Sequence, residues 1–147
     1  MESKKKILVL CTGNSCRSQM MHGYLNMLLG DRAEVYSAGV EVHGVNPRAI
    51  ASMNRDGIDI SHHSSNHVLE YQSISFDIMF TVCDHAKESC PFIPGNAKRI
   101  HHSFPDPAKA SGTEEEIEQK FDEVRDQIKG YCIAFVENES NKSSIFN

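Results

Sequence analysis

The sequence predicts one α/β domain, in which a four-stranded parallel sheet lies between two layers of helices. Two observations lead to this prediction. Short apolar runs of strand length alternate along the chain with helical patterns, an order typical of parallel sheets joined by right-handed crossovers. The chain also has 147 residues, the length of one domain, and no linker, repeat or low-complexity segment divides it. We place the domain at residues 1–137 and a polar, frayed C-terminal tail at residues 138–147.

Two strands and two helices are predicted in the first half of the chain. The strands cover residues 6–11 and 34–37, and the helices run from the Cys16-Arg17-Ser18 stretch to about Leu29 and from Pro47 to just before Gly57. Gly30 ends the first helix, since glycine readily takes the conformations that follow a helix. Asn46 is a favoured N-cap for the second helix, and Pro47 is a favoured first residue.

The second half is predicted to add two strands and a long C-terminal helix. Residues 76–83, FDIMFTVC, form the clearest buried strand, residues 98–102 form the fourth, and a short helix is expected at 66–71. Thr113 caps the last helix ahead of an acidic first turn, which suits the helix dipole. The apolar stripe of that helix consists of Ile117, Phe121, Val124 and Ile128.

Composition and charge narrow the class of protein. Fifteen Lys and Arg against twenty Asp and Glu give a net charge of −5, which argues against nucleic acid or an anionic membrane as a partner. The basic N-terminus leads into an apolar run too short for a signal peptide, and no stretch is long enough to span a membrane. We therefore expect a cytoplasmic monomer whose five cysteines are reactive or metal-bound rather than paired in structural disulfides.

The stretch ILVLCTGNSCRS, residues 7–18, runs from the first strand into the first helix. Cys11 is at the carboxyl end of the strand, where parallel sheets bind ligands, and the turn after it leads to a helix N-terminus, which attracts anions. Arg17 can bind two oxygens of a tetrahedral anion through its planar guanidinium. We predict that such an anion is bound by Thr12, Gly13, Asn14, Ser15, Cys16, Arg17 and Ser18.

Cys11 is the predicted nucleophile of this loop. A helix N-terminus and a neighbouring cation lower the pKa of a thiol, so we expect Cys11 to be ionised at neutral pH. Gly13 and Asn14 are expected to take the positive φ angles that turn successive amides inward, and Ser18 to donate a hydrogen bond to the thiolate. An isolated cysteine at a strand end is more often a packed core residue, and the arginine six positions later favours the reactive interpretation.

The spacing Cys-x5-Arg-Ser at the first strand-to-helix turn resembles the phosphate-binding loop of the low-molecular-weight protein tyrosine phosphatase family. The segment FPDPA, residues 104–108, adds to the resemblance, since it puts Asp106 where that family carries its general acid. Such an acid protonates the leaving oxygen. Taken alone, Asp106 before Pro107 would be assigned to a turn. The resemblance implies the phosphatase fold, with Cys11, Arg17 and Asp106 as catalytic residues.

Two further cysteines resemble those of the thioredoxin-coupled arsenate reductases, which share this fold. Cys83 lies at the carboxyl end of the third strand, the sheet edge that also holds Cys11, and Cys90 comes seven residues later. The resemblance covers nearly the whole chain, in LCTGNSCRSQM, NPRAIASMNRDGIDIS, TVCDHAKESCP and SFPDPAKASGTEEE. It implies that Cys11 attacks arsenate and that Cys83 attacks Cys11 and releases arsenite. Cys90 would then form a disulfide with Cys83, which thioredoxin reduces.

The same resemblance implies the ligands and partners. Arsenate is the expected substrate, phosphate and sulfate the competing anions, and thioredoxin the external reductant, with no tightly bound cofactor. Cys83, His85 and Cys90 do not match structural zinc spacing, so no metal is expected. Residues seven apart on a helix are separated by about 10 Å, so segment 84–92 has to rearrange for Cys83 and Cys90 to bond.

Two other functions remain open from the sequence. One is a phosphatase acting on small phosphoesters or phosphoprotein, although Ala108-Lys109-Ala110 stand where phosphatases of this fold carry aromatic residues. The other is a non-enzymatic oxyanion or redox sensor. The remaining candidates are interpreted as interior residues, for Cys16 and Cys132, or as surface residues, for His62, His63, His101 and His102.

Overall fold

Four parallel strands form one sheet. The computed structural model describes residues 4–84 and 97–141, and its strands are β1 (Lys5–Cys11), β2 (Ala33–Gly39), β3 (Ile78–Thr81) and β4 (Lys98–His101). Their order is β2-β1-β3-β4, and every neighbouring pair is parallel. The predicted four-stranded parallel sheet is therefore confirmed.

Three α-helices accompany the strands in the described ranges: α1 (Arg17–Leu29), α2 (Pro47–Arg55) and α3 (Glu114–Asn141). The predicted cap of α2 is confirmed, since the Asn46 side chain accepts a 2.8 Å bond from the N–H of Arg48. Thr113 likewise accepts from the N–H of Glu116 at 3.2 Å, and the Glu116 carboxylate accepts from Thr113 in return. None of these helices is long and apolar enough to cross a membrane.

Three elements differ from the sequence prediction. Residues 66–71 contain a 3-10 turn at Val68–Tyr71, closed by reciprocal bonds between His67 and Glu70. The strand expected at 76–83 is shorter, at Ile78–Thr81. An apolar run indicates buried residues, and Phe76, Val82 and Cys83 are buried although they lie outside the strand. Helix α3 continues to Asn141, so the boundary placed at residue 138 falls inside a helix.

Both faces of the sheet are covered. Ile7, Leu8, Val9 and Leu10 of β1 have no exposure to solvent, as expected for a central strand of a parallel sheet. On one face, Phe80 packs edge-on against Phe135 of α3, with ring centroids 5.0 Å apart. On the other face, Tyr36 of β2 packs against Tyr71, at 5.3 Å.

The apolar stripe of α3 also lies in the core, as predicted. Phe121, Val124, Ile128 and Cys132 are all buried, and Ile117 packs against the same core. Cys132 is thus a packing residue of the helix. Helix α3 packs against the sheet, as the contact between Phe135 and Phe80 shows. The candidate site lies at the carboxyl edge of the sheet, where Cys11 pairs in register with Gly39 and Leu10 with Thr81.

Candidate active site

The loop of residues 11–17, which we call the anion loop, is held by hydrogen bonds on its outer side. The bonds run from the N–H groups of Val40, Glu41, His43 and Asn46 to the carbonyls of Cys11, Thr12, Gly13 and Ser15, over distances of 2.8–3.3 Å. In a trans peptide the N–H points away from the carbonyl, so carbonyls that face outward leave the amides facing inward. Successive inward amides form a concave site for an anion.

The turn of the loop depends on Asn14 and Gly13 for different reasons. Asn14 has a φ of 50°, which confirms the predicted left-handed conformation. Gly13 does not have a positive φ, so that part of the prediction is wrong. A Cβ at Gly13 would overlap the present position of the exposed His43 ring, so a side chain there would require that ring to move.

Arg17 connects the anion loop to the segment that carries Asp106. One guanidinium nitrogen donates to the carbonyl of Phe104 at 3.1 Å, and the other lies 3.6 Å from a carboxylate oxygen of Asp106. The second oxygen of Asp106 accepts from the N–H of Ala108 at 3.0 Å and caps the 3-10 turn Pro107–Lys109. The fold thus brings Asp106 beside the loop, although 89 residues separate it from Arg17 in the sequence.

Cys83 lies directly against the nucleophile candidate. The Cys11 and Cys83 thiols are hydrogen-bonded to each other, and both side chains are buried. The hydroxyl of Thr12 is 3.1 Å from the sulfur of Cys83. Two thiols and a hydroxyl from two strand ends therefore meet at the floor of the anion loop.

This contact reverses the expected acidity of Cys11. The hydrogen bond with Cys83 and burial raise the pKa of Cys11, and they outweigh the lowering effects of the Arg17 charge and the Thr12 N–H. This direction is opposite to the one expected for a thiol at a helix N-terminus. The physical reason is that burial and the neighbouring Cys83 thiol act on Cys11 in addition to the loop amides and Arg17.

The comparisons with known proteins decide the family. A family model described as low molecular weight phosphotyrosine protein phosphatase matches residues 6–144. The chain belongs to this family. It is also 48% identical over 135 residues to an arsenate reductase of Halalkalibacterium halodurans. The aligned residues make up 92% of this chain and 97% of that protein. At this identity the chain belongs with the arsenate reductases of the phosphatase family.

Solved structures agree with that placement. An arsenate reductase in an oxidized state is 28% identical, has a TM-score of 0.75, and covers 91% of this chain and 98% of its own. An arsenate reductase in a phosphate binding state is 25% identical with a TM-score of 0.67, over the same shares of the two chains. The predicted phosphatase fold is therefore confirmed.

The anion loop lines a cavity of about 480 Å³. Its lining in the described ranges consists of Cys11, Thr12, Gly13, Ser15, Cys16, Arg17, His43, Cys83, Asp84, Ser103, Asp106, Ala108 and Lys109. These residues include no Phe, Tyr or Trp. Cys16 lies at the wall, and burial raises its pKa to about 11. The cavity thus presents hydrogen-bonding and thiol groups rather than an aromatic slot.

The other predicted site residues have different positions. Ser18 is fully buried and its hydroxyl accepts a 2.9 Å bond from the Asn14 side chain. Cys90 lies outside the described residues, as does most of the segment expected to rearrange. Across the described ranges, no group of three or more His, Cys, Asp or Glu side chains is arranged to hold a metal ion.

Two histidines that were expected at the surface take part in hydrogen-bond chains near the anion loop and Cys83. His101 bridges Thr81 and Asp84, at 2.7 and 2.9 Å, beside Cys83. His63 bonds to the side chain of Gln19 behind the anion loop, at 2.9 Å. Their sequence spacing carries no signal of this. The position of His101 at the carboxyl end of a strand is the one feature that could have pointed to it.

Proposed function

We propose that this protein is an arsenate reductase in which Cys11, Cys83 and Cys90 relay electrons from thioredoxin to arsenate. The observation that carries the proposal is the contact between the Cys11 and Cys83 thiols at the floor of the anion loop. Hydrolysis of a phosphoester needs one thiol, whereas reduction of arsenic by two electrons needs a second thiol within bonding reach of the first.

Binding of arsenate uses the anion loop and Arg17. The inward amides supply hydrogen bonds to a tetrahedral oxyanion, and the guanidinium supplies a charged pair of donors. Arg17 is already near Asp106 and Phe104, so the arriving anion competes with these groups for the guanidinium. Phosphate and sulfate have the same shape and charge, and we expect them to compete at this site.

In the first step, the sulfur of Cys11 attacks arsenic and one arsenate oxygen leaves as water. The proton of the Cys11 thiol and the departing hydroxyl together make that water, so a thiol and hydrogen arsenate give a thioarsenate ester and water. Asp106 passes the proton to the leaving oxygen, as a general acid does.

In the second step, the sulfur of Cys83 attacks the sulfur of Cys11. The electron pair of the sulfur–arsenic bond stays on arsenic, which leaves as arsenite, while the two sulfurs are oxidised to a disulfide. Thr12 can donate its hydroxyl hydrogen to the Cys83 thiolate as it forms, since the two atoms are 3.1 Å apart.

In the third step, Cys90 attacks Cys83, frees Cys11 and leaves a Cys83–Cys90 disulfide for the dithiol of thioredoxin to reduce. This step requires a compartment that keeps thiols reduced, which supports the cytoplasm. Cys11, Cys16 and Cys132 are free thiols in the structure.

A phosphatase acting on aromatic phosphoesters is a weaker candidate. The described lining offers no Phe, Tyr or Trp ring to pack against a phenyl leaving group. Packing between two aromatic rings is worth about 0.5–1.5 kcal/mol beyond simple burial. The Arg17 and Lys109 cations of the lining favour a small inorganic oxyanion.

The deciding experiment follows arsenite release and NADPH oxidation with purified protein, thioredoxin, thioredoxin reductase and arsenate. The native chain should turn over continuously, whereas Cys83→Ala should stop once Cys11 has reacted. Cys132→Ala is the matched control, since it removes another buried thiol from the core of α3 and should keep turnover. Sustained arsenite production by Cys83→Ala would contradict the relay. Phosphatase turnover without arsenite release would support the alternative function.

A further inference from the structure

Behind the anion loop, a buried glutamine makes hydrogen bonds that the proposed reaction does not use. Gln19, on the first turn of α1, has no exposure to solvent. Its Nε2 donates to the carbonyl of Asn14 at 3.1 Å and to the carbonyl of Ser64 at 2.9 Å. Its Oε1 lies 2.9 Å from Nδ1 of His63.

These three contacts determine where the protons are. Both N–H groups of the Gln19 amide are used as donors, so Oε1 can only accept. Nδ1 of His63 must therefore carry a proton. The His63 ring packs against the ring of His22, with centroids 4.4 Å apart, and Nδ1 of His22 lies 2.8 Å from the hydroxyl of Ser37 on β2. A continuous row of side chains thus links β2 to the back of the anion loop.

Asn14 differs from its neighbours in what its carbonyl contacts. The carbonyls of Cys11, Thr12, Gly13 and Ser15 accept from backbone N–H groups, which only a substitution by proline would remove. The carbonyl of Asn14 accepts from the Gln19 side chain. Because that carbonyl faces Gln19, the N–H of Ser15 in the same peptide faces the opposite way, toward the cavity that Ser15 lines.

We propose that Gln19 and His63 are positioning residues for oxyanion binding, which together hold the Asn14–Ser15 peptide with its N–H toward the anion. His63 acts through Gln19, and neither residue is part of the cavity lining. The inference rests on the proposed function, since it assumes that the loop binds an oxyanion. It adds two residues that the Cys-x5-Arg spacing does not include.

The test measures phosphate binding by titration calorimetry and the Ser15 amide resonance by NMR, in the native chain and in variants at His63. His63→Leu removes the donor to Gln19 and should weaken phosphate binding roughly tenfold, the usual effect of one lost hydrogen bond with an unpaired buried partner. His63→Asn keeps an N–H near the position of Nδ1 and should restore the native affinity. The shift of the Ser15 amide on addition of phosphate should shrink in His63→Leu and recover in His63→Asn.

The matched control is His62→Leu, since the ring of this exposed neighbour touches His63, at a centroid distance of 4.8 Å, and no bond joins it to Gln19. It should bind phosphate as the native chain does. Native affinity and a native Ser15 shift in folded His63→Leu would overturn the inference, as would an equal loss in His63→Asn. If the native chain binds neither phosphate nor arsenate, the proposed function itself fails, and this outcome is distinct from a failure of the variants alone.

Gln19→Glu gives a second measurement. It keeps the size of the side chain and replaces both N–H donors with an oxygen that faces two carbonyls. Phosphate binding should weaken at least as much as in His63→Leu. A folded Gln19→Glu protein with native affinity would overturn the role of Gln19.

Discussion

The two sides of the site are built differently. On one side, the anion loop is fixed by backbone bonds to residues 40–46 and by Gln19 behind it, and Asn14 has no exposure to solvent. On the other side, Asp106 and Cys83 meet the loop through side chains, since Arg17 reaches Asp106 and Thr12 reaches Cys83. We expect the binding of an oxyanion to depend on the loop backbone together with Arg17, and the reaction to depend on the side chains of Asp106 and Cys83.

The largest effect is expected at Asp106, where a substitution should lower arsenate turnover and leave phosphate affinity unchanged. Asp106→Asn keeps the size of the side chain and its bond from Ala108 but cannot deliver a proton to the leaving oxygen. Arsenate turnover should fall about 10²- to 10⁴-fold. Phosphate affinity, measured by calorimetry, should not weaken. A parallel loss of affinity would mean that Asp106 is part of the binding surface, and the comparison would be wrong.

Arg17 joins the two sides, and its substitution should reduce binding itself. In Arg17→Lys a point charge replaces the planar pair of donors, so phosphate affinity should fall roughly 10- to 100-fold. Lys109→Ala is the control, because it removes another cation from the cavity lining and should have a smaller effect. Equal losses in the two variants would show that only net positive charge matters at this site.

The rigidity of the binding side can be tested at Gly39. A Cβ at this position would lie 2.7 Å from the carbonyl oxygen of Thr12 and 2.8 Å from the amide nitrogen of Asn14. Gly39→Ala should lower the free energy of unfolding by about 1–3 kcal/mol, and phosphate binding should weaken as the loop shifts.

The control for Gly39→Ala is Gly130→Ala, in α3. A Cβ at Gly130 meets no atom within 4 Å. The free energy of unfolding should rise by about 0.5–1 kcal/mol, since alanine favours a helix interior. Urea denaturation checks both variants, and an unchanged stability of Gly39→Ala would show that the loop is more adaptable than its hydrogen bonds indicate.

The smallest expected effect is a loss of protein stability at acidic pH, caused by the buried His22 behind the anion loop. Burial lowers the pKa of His22 from its ordinary value of 6.5 to about 3, and the nearby His63 and His62 add to this effect. The unfolded chain therefore takes up a proton as the pH falls through 6.5, while the folded chain does not until near 3. Stability should fall across this window, by about 1 kcal/mol between pH 7 and 5.5.

The measurement for His22 is the free energy of unfolding in urea at a series of pH values, compared with His22→Gln. The variant cannot titrate at this position, so its stability should depend less on pH over the same window. Identical profiles for the two proteins would assign the acid sensitivity to other groups.

Several parts of the fold follow from local sequence patterns. The apolar run of β1, the Asn46 and Thr113 caps, and the stripe of α3 all predicted elements that the structure contains. These signals work because strand burial, helix capping and helix periodicity depend on residues close together in the chain. The spacing of Cys11 and Arg17 is also a short-range signal, since both residues belong to one loop.

Other features were decided only when distant segments came together. The predicted lowering of the Cys11 pKa is not found, because burial and the contact with Cys83, 72 positions later, raise that pKa instead. Gly13 was assigned a positive φ that it does not have, and the neighbour of its Cα hydrogens is the ring of His43, 30 positions later. In both cases the local pattern predicted the loop but not the residues from distant segments that contact it.

The sequence by itself thus determined the sheet, the helices and the identity of the anion loop, because these depend on short-range periodicity and capping. The tertiary structure decided the acidity of Cys11, the partners of Arg17 and the row from Ser37 to Gln19 behind the loop. Burial and hydrogen bonding between strand ends set these properties. No spacing along the chain encodes them, since the segments involved meet only through the parallel crossovers of the fold.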